Sequence, residues 1–561
     1  MQIECKSLKP KPTHLDKQSK RLLATTNYDS HPIRVSQTYM TISTLTPLSV
    51  NQSIFRCVLS GILFSLCFPH ADLGWLIWAS FIPFLSVFPA KSYGHSALYG
   101  LIFGLVAYTG LLYWIGVFAS HIIGPALACV GLLLAAVSQA IVVVAFGVVA
   151  QWLSTRKSIW PFFIGAPALW TILEWVRQLG PLGTGWGDIA YTQHNYILML
   201  MQTRLAGVWG LAWLIVAVNT GVLYWLRGQR NLKLHCVWFI PLVLTVGYGI
   251  SVVRPDSLDP GHTIYAAALQ PNISENVPWS GDRPADPRYV QNVMDTLHRQ
   301  MAEAEAKGSV LCVAPETYFP GYPEMDPGLR TQLNASVKST QQTLVIGGNA
   351  FDSSANADTN SLFSIWPDGQ THGIYSKQQL VPFGEFVPFR RELPILEALH
   401  VTLIDRAAGD ASQPLVDAGP YAGKLACAIC YESSYGRITR GQIDRGANLI
   451  VIITDDTWFG HTAAARQHAA IAAVRAAESD RYVVRSAETG ISQVIDPYGR
   501  VLSEAGLFVP AVVVAQVEPE TTITPYVRYG DWFIAACFAL LIAGVLSGRG
   551  QKQKIDDNPD H

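Results

Sequence analysis

Three residues that could perform acyl chemistry stand at the ends of apolar runs. Glu316 ends SVLCVAPE (309–316), Lys377 ends THGIYSK (371–377), and Cys430 lies late in KLACAICYE (424–432). A thiol with a pKa of about 8.5 is mostly protonated at neutral pH and needs a neighbouring base or cation to become a nucleophile. Loops beyond buried strand ends are where α/β folds place their sites. Our hypothesis is that the acid, the cation and the thiol converge there.

The two neighbouring cysteines have different predicted roles. In an extended strand Cys427 and Cys430 point to opposite faces, with Cα atoms roughly 10 Å apart, which is beyond the roughly 7 Å that a disulfide can bridge. The sequence has no second CxxC and no Cys-His pair with ligand spacing, which disfavours zinc. We therefore predict that Cys427 is a small core residue and that Cys430 is the nucleophile.

The histidines are weaker candidates for the base. His372 precedes Lys377 by five residues in the same predicted strand, and His461 and His468 flank a predicted helix start. We interpret each as a surface or capping residue. The proton acceptor is therefore assigned to Glu316, and Lys377 supplies the positive charge where an oxyanion develops.

The elements that must position these residues lie between residues 261 and 520. Short apolar runs bounded by turns recur there and predict strands. Helical patterns lie between some of them, at 286–306 and in the alanine-rich stretch 463–481. Strands mixed with helices on both flanks favour a layered α/β domain whose central strands are buried.

The rest of the chain is strongly apolar. Of 561 residues, 50% are hydrophobic and only 14% are charged, and the apolar excess concentrates in 53–252 and 531–548. Windows of about 20 apolar residues predict eight transmembrane helices, of which the first two could instead form a re-entrant pair. These windows lie near 53–69, 72–89, 95–118, 124–153, 160–177, 205–226, 234–252 and 531–548. A net charge of -1 lacks the basic footprint of nucleic-acid binding, so a membrane is the predicted partner.

Charge in the loops predicts the orientation. Lysine and arginine cluster in the basic leader 1–52, in alternate loops and in the tail 549–561, which are therefore expected to be cytoplasmic. The leader is too polar for a signal peptide and is interpreted as a disordered extension. Seven spans precede the polar domain, so 261–520 is predicted to lie on the far side of the membrane and the span at 531–548 to return the chain.

Three motifs resemble those of a known family. APETYFPG around Glu316, SKQQLVPFGEFVPF around Lys377 and CYESSYG around Cys430 are similar to the Glu-Lys-Cys motifs of the nitrilase superfamily. With TWFG and the predicted spans, residues 53–548 resemble the apolipoprotein N-acyltransferase family. The resemblance implies a multi-span helical membrane block and an α-β-β-α nitrilase-like sandwich. It also implies a bacterial inner-membrane protein with its catalytic domain in the periplasm.

The resemblance further implies a two-step acyl transfer without cofactor or metal. A phospholipid, phosphatidylethanolamine by preference, gives its sn-1 acyl chain to Cys430 as a thioester. The α-amino group of the diacylglyceryl-cysteine at an apolipoprotein N-terminus then takes the chain as an amide. Glu316 would be the general base and Lys377 the oxyanion partner. Supporting or substrate-handling roles carry over to Glu385, Tyr431, Glu432, Trp279 and Trp186, and for the two tryptophans a membrane-interface belt is an equal alternative.

Some positions differ from the family pattern, and two other functions stay open. Asp455 and Glu488 both stand where the family tends to have asparagine. These differences affect supporting loops more than chemistry.

A membrane-tethered amidase or nitrilase would use the same triad and end with water. A transporter with an inert nitrilase-like domain is less favoured, because the spans contain few charges beyond Glu174 and Arg177.

Overall fold

The computed structural model describes residues 48–254, 262–273, 287–318, 321–390, 392 and 405–547. The helices are α1 (Val50–Leu66), α2 (Ile77–Ser80), α3 (Ile82–Leu85), α4 (Tyr93–Ile123), α5 (Pro125–Ser154), α6 (Trp160–Arg177), α7 (Ile197–Leu200), α8 (Thr203–Leu226), α9 (Leu232–Val252), α10 (Pro287–Ala306), α11 (Pro327–Thr340), α12 (Gly419–Ala422), α13 (Gly436–Asp444), α14 (Ala464–Ser479), α15 (Pro525–Tyr529) and α16 (Trp532–Ser547). The strands are β1 (Ile264–Gln270), β2 (Ser309–Val313), β3 (Thr343–Asp352), β4 (Ala357–Ile365), β5 (Thr371–Ser376), β6 (Val416–Asp417), β7 (Lys424–Ile429), β8 (Leu449–Thr454), β9 (Val483–Ala487), β10 (Gln493–Ile495), β11 (Val501–Glu504) and β12 (Ala511–Val517). Short 3-10 turns occupy Gly74–Leu76, Ile189–Gln193, Cys430–Ser434 and Thr457–Phe459.

Four helices in the described ranges are long and apolar enough to cross a membrane, namely α4, α5, α8 and α9. The prediction of eight such spans is therefore wrong. The window near 72–89 breaks into a 3-10 turn and two four-residue helices, the second of which has Pro83 in its first turn. The helices α1 and α16 are apolar but have only 17 and 16 residues. Hydropathy counts apolar residues whether or not the backbone stays helical, and proline interrupts a helix.

Small residues let the longest helices pack closely. A Cβ added to Gly100 of α4 would lie 2.5 Å from the carbonyl oxygen of Val143 in α5, and one at Gly147 would lie 2.5 Å from that of Ser96. Close backbone approach through such residues is the usual basis of helix association in membranes. Buried residues make up 89% of the apolar window of α8 but 11% of that of α9. Accordingly α8 is central and α9 peripheral.

The strands form two six-stranded mixed sheets packed face to face. Their strand orders are β12-β1-β2-β3-β4-β5 in the first sheet and β11-β10-β9-β8-β7-β6 in the second. Apolar side chains such as Leu311 and Val451 fill the space between the sheets. The helices α10 and α11 cover the outer face of the first sheet, and α13 and α14 cover that of the second. These strands and the helices that flank them thus form an α-β-β-α sandwich.

The strands that precede the candidate residues are shorter than their apolar runs. Strand β2 ends three residues before Glu316, whereas β5 and β7 each end one residue before Lys377 and Cys430. All three candidates therefore lie in loops just beyond strand ends. Cys430 is outside the strand, so the face-alternation argument does not apply to it. Cys427 is fully buried between the sheets.

Candidate active site

The ammonium of Lys377 lies between two carboxylates. Its Nζ is 3.3 Å from Oε1 of Glu316 and 3.0 Å from the carboxylate of Glu385, and the residue is 1% exposed. Burial alone lowers the pKa of Lys377, but the attraction of the two carboxylates raises it well above its usual value. The group is therefore a permanent cation at neutral pH.

Asn360 in β4 connects the two carboxylates. Its Nδ2 donates to Oε1 of Glu316 at 2.7 Å and to Oε1 of Glu385 at 3.0 Å, while its backbone carbonyl accepts the Lys377 amide at 2.8 Å. Burial raises the pKa of Glu385, but Lys377, Asn360 and the Val381 amide together lower it below its ordinary value. Asn360 was missed because one polar residue at the start of an apolar strand resembles an ordinary surface position.

The second oxygen of Glu316 is fixed by backbone. Oε2 accepts the amide of Asp455 at 2.8 Å. The Asp455 side chain accepts the Thr457 amide through Oδ1 at 3.0 Å, a contact that an asparagine oxygen could also make. Since the backbone of Asp455 makes the contact to Glu316, this departure from the family pattern leaves the contact intact.

Cys430 has a strained backbone and a protonated thiol. Its φ of 53° lies in the left-handed region, which a residue other than glycine adopts at a cost of about 1–3 kcal/mol. Burial and the charge of Glu316 raise the pKa of the Cys430 thiol well above its usual value, against the opposing effect of Lys377. The thiol is therefore neutral at rest, and both charged groups are near enough to influence it.

Glu432 ties the loop of Lys377 to the strand of the nucleophile. Its Oε1 accepts the amides of Gln378 and Gln379 at 2.5 and 3.0 Å, and its Oε2 accepts the amide of Ile429 at 2.8 Å. Burial raises the pKa of Glu432 to about 7, although these amides lower it. The carboxyl thus joins the first sheet to the second beside the reactive groups.

The loop 178–202, between α6 and α8, contacts the turn that begins at Cys430, which we name the nucleophile turn after the candidate nucleophile. The hydroxyls of Tyr431 and Tyr435 lie 3.1 and 2.5 Å from the carbonyl oxygen of Gly183. A Cβ added to Gly185 would lie 2.2 Å from the carbonyl oxygen of Ser434. Only glycine fits at position 185 without a shift, so the helical region and the nucleophile turn are in direct contact.

Trp186 in the same loop is buried beneath the nucleophile turn. Its Nε1 donates to Oε1 of Gln467 at 2.8 Å, and its ring centroid lies 5.4 Å from that of His468 and 5.2 Å from that of Trp114. This placement disfavours a membrane-interface belt for Trp186, because that role needs an exposed ring. Trp279, the other predicted tryptophan, lies outside the described residues.

The interpretation of His468 as a surface or capping residue is wrong. His468 is fully buried, and its Nε2 lies 3.0 Å from the carbonyl oxygen of Cys430. Its helix α14 packs alanines on the second sheet and Ile471 and Val474 against the apolar helices. The alanine-rich sequence was the available signal, because small side chains on every side of a helix allow close neighbours all round.

His372 and His461 lie away from this site. His372 pairs with Asp368 at 2.8 Å and stacks on Trp366, and the ring of His461 packs at a tilt against that of Phe508. Within the described ranges no three histidine, cysteine, aspartate or glutamate side chains are grouped so as to hold a metal ion.

The comparison with known proteins first gives the class. The family model for carbon-nitrogen hydrolases matches residues 265–524. Together with the two-sheet fold and the loop site, it defines this part of the chain as a carbon-nitrogen hydrolase domain. Among solved structures, a variant of an amidase from Nesterenkonia AN1 has 18% identity and a TM-score of 0.35, covering 50% of this chain and 100% of its own.

The helical region and the full-length relatives narrow this class. The model of the apolipoprotein N-acyltransferase N-terminal domain matches residues 60–221. The apolipoprotein N-acyltransferase of Geobacter metallireducens is 31% identical over 86% of this chain and 92% of its own. That of Nitrosomonas europaea is 30% identical over 83% and 91%. This chain belongs to the apolipoprotein N-acyltransferase family, and its apolar helices agree with a membrane-bound bacterial protein.

Proposed function

We propose that the protein transfers an acyl chain from a membrane phospholipid to the α-amino group of the N-terminal diacylglyceryl-cysteine of apolipoproteins. The observation that carries this proposal is the buried cluster of Glu316, Lys377 and Glu385 beside Cys430, in a chain that matches the family over most of its length. Phosphatidylethanolamine is the proposed donor, through its sn-1 ester.

In the first step Cys430 becomes acylated. Glu316 takes the thiol proton as the sulfur attacks the ester carbonyl, and the resulting oxyanion faces the ammonium of Lys377. The carbon–oxygen bond of the ester then breaks, and Glu316 returns the proton to the departing lysophospholipid hydroxyl. The product is a thioester on Cys430, with no net change in charge.

In the second step the acceptor amine attacks the thioester. Glu316 now takes a proton from the amine, the carbon–sulfur bond breaks, and the proton returns to the sulfur of Cys430. The product is an amide, and the enzyme is ready for the next donor. Glu385 contributes by pairing with Lys377, which keeps the ammonium charged throughout.

The proposed arrangement places this chemistry at the bilayer surface. Residues 53–252 form the membrane domain and 261–520 the periplasmic catalytic domain, and the lysines and arginines of both termini support their cytoplasmic placement. Both substrates are lipids, so a site held against the membrane turns a solution encounter into a positioned one.

A cysteine introduced at the exposed Ser353 should react with a membrane-impermeant thiol reagent in intact spheroplasts. Protection until lysis would contradict the periplasmic placement.

The adduct on Cys430 is the direct test of the mechanism. Mass spectrometry after exposure to phosphatidylethanolamine should find one acyl group on Cys430 in the wild type and in Cys427→Ala, and none in Cys430→Ala. A diacylated lipopeptide should then remove the group and become N-acylated. Release of free fatty acid without N-acylated product would favour a hydrolase. No adduct, with undiminished complementing activity in Cys430→Ala, would favour the transporter.

A further inference from the structure

We propose that Thr454, Asp456 and His468 form a buried nucleophile support that fixes both the sulfur and the carbonyl group of Cys430. In this arrangement Thr454 touches the reacting sulfur as a further catalytic residue, and Asp456 and His468 are positioning residues. The inference rests on the proposed role of Cys430 as the nucleophile.

Asp456 is the centre of the nucleophile support. It is 1% exposed, and its Oδ2 accepts from Arg485 at 2.7 Å. Its Oδ1 lies 2.8 Å from the Thr454 hydroxyl and 3.0 Å from Nδ1 of His468. Burial raises the pKa of Asp456, but Arg485 and His468 lower it far below its usual value. The group is therefore an ionised carboxylate, which can only accept hydrogen bonds.

Thr454 provides the proposed contact with the sulfur of Cys430. Strands β7 and β8 are parallel with Ile429 beside Ile453, and the residues that follow these two are Cys430, which begins the turn, and Thr454, which ends β8. Burial raises the pKa of the Cys430 thiol, and a hydrogen bond from Thr454 is among the effects that oppose this rise. At rest the hydroxyl donates to Asp456 and its oxygen can accept the S–H of Cys430.

This arrangement changes when the thiol is deprotonated. As the sulfur proton passes to Glu316, the Thr454 hydroxyl turns its own hydrogen toward the sulfur. Asp456 then keeps the bond that Oδ2 accepts from Arg485. Thr454 thus orients the neutral thiol and stabilises the transient thiolate.

His468 provides the contact with the backbone carbonyl of Cys430. Its Nε2 lies 3.0 Å from the carbonyl oxygen of Cys430, and a carbonyl can only accept, so Nε2 carries a hydrogen. The ring is fixed on its other side by Asp456 and by Arg485, whose NH2 group lies 3.1 Å from Nδ1. This bond pairs the carbonyl of a residue whose φ is 53°, and so it stabilises the strained turn.

Burial distinguishes the nucleophile support from a second catalytic triad. Ser433 Oγ lies 2.8 Å from Nε2 of His468, which gives a Ser-His-Asp sequence of contacts with Asp456. All three side chains are fully buried or nearly so, and Ser433 and His468 have no exposed surface. A substrate cannot reach the serine, so its hydroxyl serves the turn.

Thr454→Val tests the proposed contact with the sulfur, because valine keeps the shape of the side chain and removes the hydroxyl. We expect single-turnover acylation of Cys430 to fall about 10-fold, with its pH profile moved to higher pH. Thr454→Ser should restore most of the rate. Thr340→Val, which removes a buried hydroxyl from α11, is the matched control and should acylate like the wild type. A wild-type rate and pH profile in Thr454→Val would overturn the proposal.

Alkylation by iodoacetamide separates this inference from the proposed function, since it reports on the sulfur without any acyl donor. Cys430 in Thr454→Val should alkylate more slowly than in the wild type, even if no phospholipid acylates either protein. His468→Gln retains a side-chain N–H donor and should alkylate faster than His468→Leu. Equal alkylation rates in all these proteins, at equal thermal stability, would rule out the nucleophile support.

Discussion

The two sheets contribute unlike halves of the candidate site. Glu316, Lys377 and Asn360 follow or belong to strands of the first sheet, and they bond to one another and to Glu385. Cys430 follows a strand of the second sheet, and its turn is fixed by α14 and by the loop 178–202 of the helical region. The charges of the first half are thus arranged by the sandwich alone, whereas the nucleophile depends on contacts from outside it.

This difference predicts that the helical region helps to position Cys430. The first half is buried, and its ammonium and carboxylates pair with one another without hydrogen bonds from the apolar helices among the described residues. The second half has a strained backbone that needs external contacts to stay in place. Variants in the first half should therefore abolish the reaction, and variants at the loop contacts should weaken it by degrees without disturbing the ion pairs.

The largest expected loss follows removal of the base. Glu316→Gln keeps the size of the side chain but cannot take a proton, so acylation of Cys430 should fall about a thousandfold. Lys377 keeps its contact with Glu385, so the fold should be retained. Glu303→Gln removes an exposed carboxylate that pairs with Lys307 and should leave acylation unchanged. Acylation of Glu316→Gln within tenfold of wild type would assign the base elsewhere.

The polar residues of the two halves differ in how well the sequence predicts them. Glu316 and Lys377 could be predicted because each directly follows an apolar run, where a charge has no packing role. Asp456 and His468 could not, because they act beneath the surface and their burial depends on α14 packing against two regions distant in sequence. Asn360 likewise becomes important only when β4 and β5 pair and bring Lys377 beside it.

Removing the cation should lower stability as well as activity. Lys377→Met leaves the carboxylates of Glu316 and Glu385 buried without a counter-charge, which should reduce the free energy of unfolding by about 3–5 kcal/mol. Adding Glu385→Gln to this variant should recover part of the stability but none of the activity. Thermal unfolding in detergent measures the stability, and acylation of Cys430 measures the activity. A loss no larger than that of Lys307→Met, at an exposed ion pair, would show that the first half is not self-contained.

The helical region shows which structural features hydropathy cannot predict. Apolar windows located the region correctly but gave eight spans where the described residues have four helices of sufficient length and hydropathy. Nor could hydropathy reveal that Gly185 must meet the backbone of Ser434, because that contact joins residues far apart in the chain. Such contacts depend on tertiary packing, which no local pattern records.

Substitution at this contact should have a moderate effect. Gly185→Ala forces the loop 178–202 away from Ser434, and we expect acylation to fall about 10- to 100-fold with the ion pairs of Lys377 intact. Tyr435→Phe, which removes one hydroxyl bond to Gly183, should cost no more than about tenfold. Gly441→Ala in α13, where an added Cβ meets no atom within 4 Å, is the control. Full activity of Gly185→Ala would mean that the membrane region only anchors the domain.

The smallest effect concerns Glu432, which bridges the two halves. Its pKa is raised from 4.5 in the unfolded chain to about 7 when folded, so its contribution to stability is complete below pH 4.5 and is lost as the pH rises to 7. The loss is at most about 3 kcal/mol. Glu478, with a pKa also raised to about 7, acts in the same direction, so only the difference between proteins isolates Glu432. Thermal unfolding of Glu432→Gln between pH 5 and 8 should therefore decline less steeply than that of the wild type, and parallel curves would mean that Glu432 stays ionised while joining the two sheets.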